Sequence, residues 1–147
     1  MGNLPSQVTS DFYGLLDADD FDGAAALVAG AVESADPELI FLSSSFGRAG
    51  ESVEEFDLRS LSETRRSAQL GYAPAIFRLG CYLLFGDFVG RDPELAHAHF
   101  EIAAKSGFPP AMYESGLSIL SRDGGGREGA GGESARDEGM RWIRRAA

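Results

Sequence analysis

Residues 71–107 read GYAPAIFRLGCYLLFGDFVGRDPELAHAHFEIAAKSG, and this stretch decides the fold. Its first half places small and apolar residues on one helix face at Ala75, Leu79, Leu83 and Gly86. Turn residues follow, and Asp92-Pro93 then supplies an N-cap and a proline at the first helical position. The stretch therefore predicts a helix hairpin, with one helix over 74–86 and a second over 93–106 that ends at Gly107.

The pattern returns along the chain with a step of thirty-six residues. This step separates the members of three sets: Gly14, Gly50 and Gly86; Leu39, Ala75 and Ala111; Ala24, Ser60 and Ala96. Similarity at a fixed period indicates stacked repeats. We therefore expect an all-α solenoid of about four antiparallel helix hairpins, built as one repeat domain over residues 1–147.

The same period predicts the boundaries of the repeats. Degenerate hairpins are expected at about 7–34, with helices at 10–16 and 21–32, and at about 36–70, whose first helix opens at Asp36-Pro37 and whose second runs from Val53 to Leu70. Better-matched repeats are expected at about 71–106 and 107–147. The last repeat is longer, and its extra residues lie in a glycine-rich loop at 123–133.

Three spaced motifs in the quoted stretch resemble the Sel-one-like repeat (SLR) family of α/α solenoids, which is related to the tetratricopeptide repeat. They are A-x-x-x-L-G-x-x-L-x-x-G at 75–86, D-x-x-x-A at 92–96 and A-A-x-x-G at 103–107. The resemblance implies antiparallel helix pairs stacked into a right-handed superhelix that serves as an adaptor or scaffold for other proteins. Leu83 departs from the family, which usually has tyrosine there.

Charge is distributed unevenly along the chain, whose net charge is −10. Residues 1–47 hold eight acidic residues and no lysine or arginine, whereas the remainder is close to balanced. Because nucleic-acid binding depends on basic side chains, nucleic acid is an unsuitable partner, and an anionic membrane surface would repel this third of the chain. A basic protein is the expected partner.

Two sets of residues are candidates for partner binding. Asp17, Asp19, Asp20 and Asp22 form an acidic cluster, which is either a docking patch for basic side chains or a solvated loop beside a helix N-terminus. The second set is aromatic: Phe41, Phe77 and Tyr113 follow the period of thirty-six, and Tyr82 and Phe85 lie on the same helix as Phe77. These rings either line a ligand-binding face or pack between successive hairpins.

Motifs that carry chemistry do not appear in the sequence. His97 and His99 are two residues apart and cannot share a helix face as metal ligands do, and Cys81 is a single cysteine. The acidic cluster lacks the glycine and glutamate that a helix-loop-helix calcium site requires. We expect no cofactor, no metal and no enzymatic activity. With no secretory signal pattern at residues 1–6 and no apolar run of about 20 residues, a cytoplasmic protein outside the membrane is expected.

These observations predict a protein-binding repeat protein. The most specific form of the hypothesis is an acidic stoichiometric inhibitor or immunity protein that neutralises a basic bacterial toxin or effector. The alternative is a general adaptor or regulatory scaffold in a larger complex, in which the aromatic positions matter and the acidic end is incidental.

Overall fold

The computed structural model describes residues 6–123 and 135–147, and the regular elements in these ranges are all helices. They are α1 (Gln7–Asp17), α2 (Phe21–Val28), α3 (Ala31–Ser34), α4 (Pro37–Ser44), α5 (Val53–Gln69), α6 (Ala73–Phe85), α7 (Pro93–Lys105), α8 (Pro109–Asp123) and α9 (Ala135–Ala146). The all-α class is confirmed. Apart from Asp123, which ends α8, the predicted glycine-rich loop at 123–133 lies outside the described residues.

Two compact units make up the chain, and the division between them falls inside α6, after Leu79. In the N-terminal unit, buried apolar side chains from α1 to α4, Phe12 and Ile40 among them, form one cluster. In the C-terminal unit, α8 packs against both α7 and α9.

Aspartate caps open α4 and α7 as the sequence predicts. The Asp36 carboxylate accepts hydrogen bonds from the backbone amides of Glu38 and Leu39, at 2.9 and 3.3 Å. The Asp92 carboxylate accepts one from the amide of Leu95 at 3.0 Å. In each helix a proline follows the cap, where its missing N–H group and its fixed φ are compatible with a first helical turn.

Left-handed residues close three helices at one position of the repeat. Gly71 and Gly107 both have φ of +88°, and Ala35, thirty-six residues before Gly71, has φ of +56°. Glycine adopts this conformation without the steric penalty that a Cβ introduces. The repeat therefore ends a helix at Ala35 in the left-handed conformation, although alanine adopts that conformation less readily than glycine.

The three glycines that the period relates, Gly14, Gly50 and Gly86, do not have the same backbone conformation. Gly50 and Gly86 are left-handed, with φ of +79° and +81°, and each lies in a turn. Gly14 lies inside α1, which continues to Asp17. The first repeat instead turns at Asp19, whose φ is +58°.

The predicted helix over 21–32 is broken into two. Helix α2 ends at Val28, Ala29 and Gly30 form a turn, and α3 begins at Ala31. The amide of Ala29 bonds to the carbonyl of Ala26 rather than to that of the residue four positions back. This tighter bond and the low helix propensity of glycine explain the break, and Ala31 remains fully buried after it.

Glycines bring the helices of the C-terminal unit into close contact. A Cβ at Gly80 would lie 2.6 Å from the Phe100 ring and 3.2 Å from the Ala96 carbonyl oxygen. One period later, a Cβ at Gly116 would lie 2.7 Å both from the Gly139 carbonyl oxygen and from the Ile143 side chain. Only glycine permits these approaches, so α6 against α7 and α8 against α9 repeat one contact.

Serine and threonine occupy the corresponding positions in the α4–α5 hairpin. Ser60, Thr64 and Ser67 of α5 stand one period before Ala96, Phe100 and Ala103, and all three are buried. The Ser60 hydroxyl donates to the carbonyl of Ser44 at 2.7 Å, and the Ser67 hydroxyl donates to the carbonyl of Pro37 at 2.6 Å. This hairpin is therefore joined by hydrogen bonds where its counterparts are joined by apolar packing.

Candidate protein-binding surfaces

The acidic cluster occupies the turn between α1 and α2. Asp17 ends α1, Asp19 adopts the left-handed conformation, and Asp22 lies in the first turn of α2. All four aspartates are exposed. Asp20 differs from the others because it is the N-cap of α2, and its carboxylate accepts a hydrogen bond from the Gly23 amide at 2.9 Å. Asp20 thus supports the N-terminus of α2, as one of the two alternatives from the sequence predicts, and Asp17, Asp19 and Asp22 are exposed to solvent.

The acidic residues of 6–47 belong to none of the ion pairs found within the described residues. Those ion pairs join Arg48 to Glu63 and Arg59 to Glu51 and Glu63. Seven of the eight acidic residues before Arg48 are exposed. Charges exposed in this way contribute a negative potential to the surrounding solvent.

Two exposed aromatic residues lie within or close to the acidic cluster in the sequence, and sequence reasoning missed both. Phe21 is 56% exposed although it stacks on Phe46, with ring centres 6.5 Å apart. Tyr13 is 46% exposed and packs edge-on against Phe12. The available signal was position, because Phe21 follows Asp19 and Asp20 directly and is itself followed by Asp22.

Phe41, the first of the three periodic aromatic residues, packs inside the N-terminal unit. It is 9% exposed and lies edge-on to Tyr72 at 5.4 Å. The Arg78 guanidinium carbon lies 3.8 Å from the centre of its ring, and Arg78 also donates hydrogen bonds to Ser44 and Ser45. Phe41 thus follows the packing alternative.

The other aromatic candidates are more accessible. Phe85 is 69% exposed and Tyr113 is 47% exposed, while Phe77 is half-buried. Tyr82 is half-buried and packs edge-on against Phe88 at 4.9 Å. The periodic positions therefore differ in accessibility, and in the C-terminal unit Tyr113 and Phe85 are available to a partner.

The described residues also bear on metal sites and on helices that could cross a membrane. Within the ranges 6–123 and 135–147, no three His, Cys, Asp or Glu side chains come together as metal ligands would. In the same ranges, none of the helices combines the length and the apolar character needed to cross a bilayer.

Comparisons with known proteins locate one repeat in the sequence. Residues 73–108 match the Sel1 repeat family model. The match covers α6, α7 and the turn between them, and it confirms the resemblance to the SLR family. The Sel1 repeat is a protein-interaction repeat fold and is not typically enzymatic. No curated protein matches the chain.

Two solved structures resemble the chain. A protective antigen present in uropathogenic Escherichia coli strains, which displays an SLR fold, matches 81% of this chain and 24% of its own, with 23% identity and a TM-score of 0.62. A Sel1 repeat protein from Oxalobacter formigenes matches 93% of this chain and 53% of its own, with 18% identity and a TM-score of 0.69. These likenesses confirm the predicted solenoid fold. The chain spans about a quarter of the first protein and about half of the second.

A charged cluster lies outside the stretch that matches the Sel1 repeat model, and sequence reasoning missed it. The Arg59 guanidinium donates to the carboxylates of Glu51 and Glu63, and to the carbonyls of Ser43 and Phe46 at 2.9 and 2.7 Å. The Arg59 and Glu51 side chains are 14% and 11% exposed. Arg59 thereby satisfies carbonyl groups at and after the end of α4 and ties them to α5.

Hydrogen bonding within this cluster alters its ionisation. The bond from Arg59, with a smaller contribution from the backbone amide of Arg48, lowers the pKa of Glu51 from 4.5 to about 2. The hydrogen bond to the Glu51 carboxylate in turn raises the pKa of Arg59. Because every charge in the cluster is paired and the groups hold two helices together, its role is structural.

Proposed function

We propose that this chain is a protein-binding repeat protein whose partner is basic and docks on the acidic surface formed by Asp17, Asp19 and Asp22. The observation that carries the proposal is the exposure of these three aspartates, none of which belongs to an ion pair found among the described residues. Charge complementarity of this kind accelerates encounter and selects against acidic partners. The Sel1 repeat fold supplies the precedent for protein binding.

Phe21 supplies the apolar contact that a charged surface alone lacks. Interfaces concentrate their binding energy in a few aromatic or arginine residues surrounded by polar groups. Phe21 is 56% exposed, is supported from below by Phe46, and has Asp20 and Asp22 as chain neighbours. We therefore assign Phe21 as the anchor and the aspartates as its charged surroundings.

The specific form that we propose is a stoichiometric inhibitor or immunity protein for a basic bacterial toxin or effector. Concentration of the negative charge at one end of the sequence favours a single docking surface and one tightly bound partner. The alternative is a general adaptor, and the exposure of Phe85 and Tyr113 favours it because it offers a partner aromatic side chains that are not part of the acidic cluster.

Neutralisation of the acidic surface tests this proposal. Asp17, Asp19 and Asp22 are changed together to Asn, and Asp20 is kept because it caps α2. A matched control, Glu54→Gln with Asp87→Asn and Glu94→Gln, changes the net charge equally at exposed acidic residues elsewhere. Proteins captured from the source cell by the wild type are identified by mass spectrometry, and the association rate of the main one is measured at several salt concentrations.

We expect one basic partner in a 1:1 complex and association about tenfold slower for the triple variant at low salt. The difference should shrink at 1 M salt, where the Debye length is about 3 Å. The control variant should associate like the wild type. Equal slowing in both variants, or several partners that tolerate the triple variant, would favour the adaptor. A Phe21→Ser variant with unchanged affinity would reject Phe21 as the anchor.

A further inference from the structure

A cavity in the C-terminal unit lies among α7, α8 and α9, away from the residues of the acidic cluster in the sequence. Its volume is about 180 Å³. A cavity of about 10–15 Å³ is enough for one water molecule. All three helices contribute to the lining, which includes His97, Glu101, Lys105, Ser115, Glu138 and Trp142. The cavity therefore has room for a side-chain head group.

Two polar atoms of the lining lack partners. Ser115 is 5% exposed, and its hydroxyl forms no hydrogen bond within the described residues. The same holds for Nδ1 of His97, which is also buried. A buried polar atom without a partner destabilises the folded state, and such atoms are uncommon in folded proteins. A polar group that enters this cavity would relieve that penalty.

The charged groups of the lining favour a cation. Glu101 and Glu138 contribute two carboxylates, and Lys105 contributes one ammonium group. In the tautomer protonated on Nε2, His97 adds an acceptor at Nδ1. A metal ion is unsuitable, because the described His, Cys, Asp and Glu residues form no group of three close enough to bind one. The occupant should therefore be an organic cation with several donors.

Trp142 narrows this choice further. A guanidinium group is planar, has five N–H donors and stacks on aromatic rings more readily than an ammonium group does. The structure already contains such a contact, because the Arg145 guanidinium carbon lies 5.8 Å from the Trp142 ring centre. Arg145 lines a second cavity on Trp142 and not the one described above. Glu101 and Glu138 are absent from the lining of that second cavity.

We propose that the cavity among α7, α8 and α9 binds the guanidinium group of an arginine side chain presented by a partner protein. Glu101 and Glu138 accept its charged hydrogen bonds, the Ser115 hydroxyl accepts another, and Trp142 provides a stacking surface. This site goes beyond the proposed function, since it uses none of the residues of the acidic cluster.

Trp142 makes the proposal testable without a protein partner, because it is the single tryptophan of the chain. The full chain is titrated with Nα-acetyl-arginine N-methylamide while its tryptophan emission is recorded. The corresponding citrulline and lysine compounds are titrated in parallel. We expect a saturable change with the arginine compound and a response at least about fivefold weaker with the other two, which lack the charge or the planar donor group.

Substitutions then identify the cavity involved. Glu138→Gln should weaken binding of the arginine compound about tenfold, and Ser115→Ala about fivefold. Ser115→Ala removes an unpaired hydroxyl, so its melting temperature should equal or exceed that of the wild type, which separates a binding effect from a folding defect. Ser121→Ala is the control, because that exposed hydroxyl donates to the Ser118 carbonyl and is absent from the lining.

The absence of a saturable response, or equal responses to the arginine and citrulline compounds, would overturn the proposal. Equal affinity for the lysine compound would reject the guanidinium assignment. Binding that is unaffected by Glu138→Gln and Ser115→Ala would move the site to the second cavity of Trp142. None of these results depends on the acidic surface, so this site and the proposed function fail separately.

Discussion

The α4–α5 hairpin and the α8–α9 pair use the same positions of the repeat but are joined by different interactions. In α8–α9, Gly116 and Gly139 allow the two backbones to approach until no Cβ fits between them. In α4–α5, buried hydroxyls bond to carbonyl oxygens, and Arg59 ties the end of α4 to α5. The repeat thus determines where two helices meet but not which interaction joins them. The polar hairpin should respond to pH, whereas the apolar pair should respond to side-chain volume.

Removal of Arg59 should have the largest effect. Arg59→Ala removes charged hydrogen bonds to the carbonyls of Ser43 and Phe46 and to two carboxylates, so we expect a loss of about 2–3 kcal/mol in the free energy of unfolding. Urea denaturation measures this loss. Arg65→Ala, an exposed change in the same helix, is the control and should stay within about 0.5 kcal/mol of the wild type.

The pH dependence of the polar hairpin should come from Glu51. Because folding lowers the pKa of Glu51 from 4.5 to about 2, its contribution to stability is present above pH 4.5 and is lost as pH falls toward 2. Glu51→Gln lacks this contribution at every pH. The gap in melting temperature between the wild type and the variant should therefore narrow steadily between those two pH values. A gap that stays constant in thermal scans would contradict the assignment.

Because α8 and α9 approach closely, the addition of a single methyl group between them should lower the stability of the protein. In Gly116→Ala the new Cβ would lie 2.7 Å from the Gly139 carbonyl oxygen, and we expect a net loss of about 1–3 kcal/mol despite the better helix propensity of alanine. Gly14→Ala is the matched control in α1, where no atom lies within 4 Å of the added Cβ. It should gain about 0.5–1 kcal/mol.

Thr64 offers a way to make the polar hairpin resemble the others. Its hydroxyl is fully buried and has no hydrogen-bond partner among the described residues, and the positions one period before and after hold Val28 and Phe100. Thr64→Val should therefore raise the free energy of unfolding by about 1 kcal/mol. Ser60→Ala should lower it by about the same amount, because that hydroxyl is bonded to Ser44. A loss from both changes would show that Thr64 has a partner.

The smallest effect is expected at Ala35. Its left-handed backbone matches that of Gly71 and Gly107 at the same position of the repeat. Ala35→Gly removes a steric penalty but adds freedom to the unfolded chain, so the net gain should be about 0.5 kcal/mol. Gly71→Ala should lose about 1 kcal/mol. Melting temperatures of the two variants test the pair, and a loss at both positions would reject the equivalence.

Much of the fold could be predicted from local signals in the sequence. Asp36-Pro37 and Asp92-Pro93 mark helix starts, Gly71 and Gly107 mark helix ends, and the period of thirty-six relates them. These signals suffice because capping and left-handed turns depend on neighbouring residues along the chain. The break between α2 and α3 was missed, since Gly30 within an apolar run is compatible with either a helix or a turn.

The candidate sites depended more on tertiary structure. Exposure separates Phe41 from Tyr113 although both follow the period, and only packing decides which ring a neighbouring side chain covers. Arg59 is distant along the sequence from the carbonyls of Ser43 and Phe46 to which it donates hydrogen bonds. A local sequence pattern therefore does not predict this charged cluster.

The sequence by itself determined the helices, their repeat and the acidic character of the first third, because these follow from local propensity and from charges that can be counted. The tertiary structure decided which aromatic residues are covered and which face solvent, as Phe41 and Phe85 show. It also decided that Ser115 and Trp142 line one cavity. Such properties depend on distances between residues remote along the chain, and those distances exist only once the helices have packed.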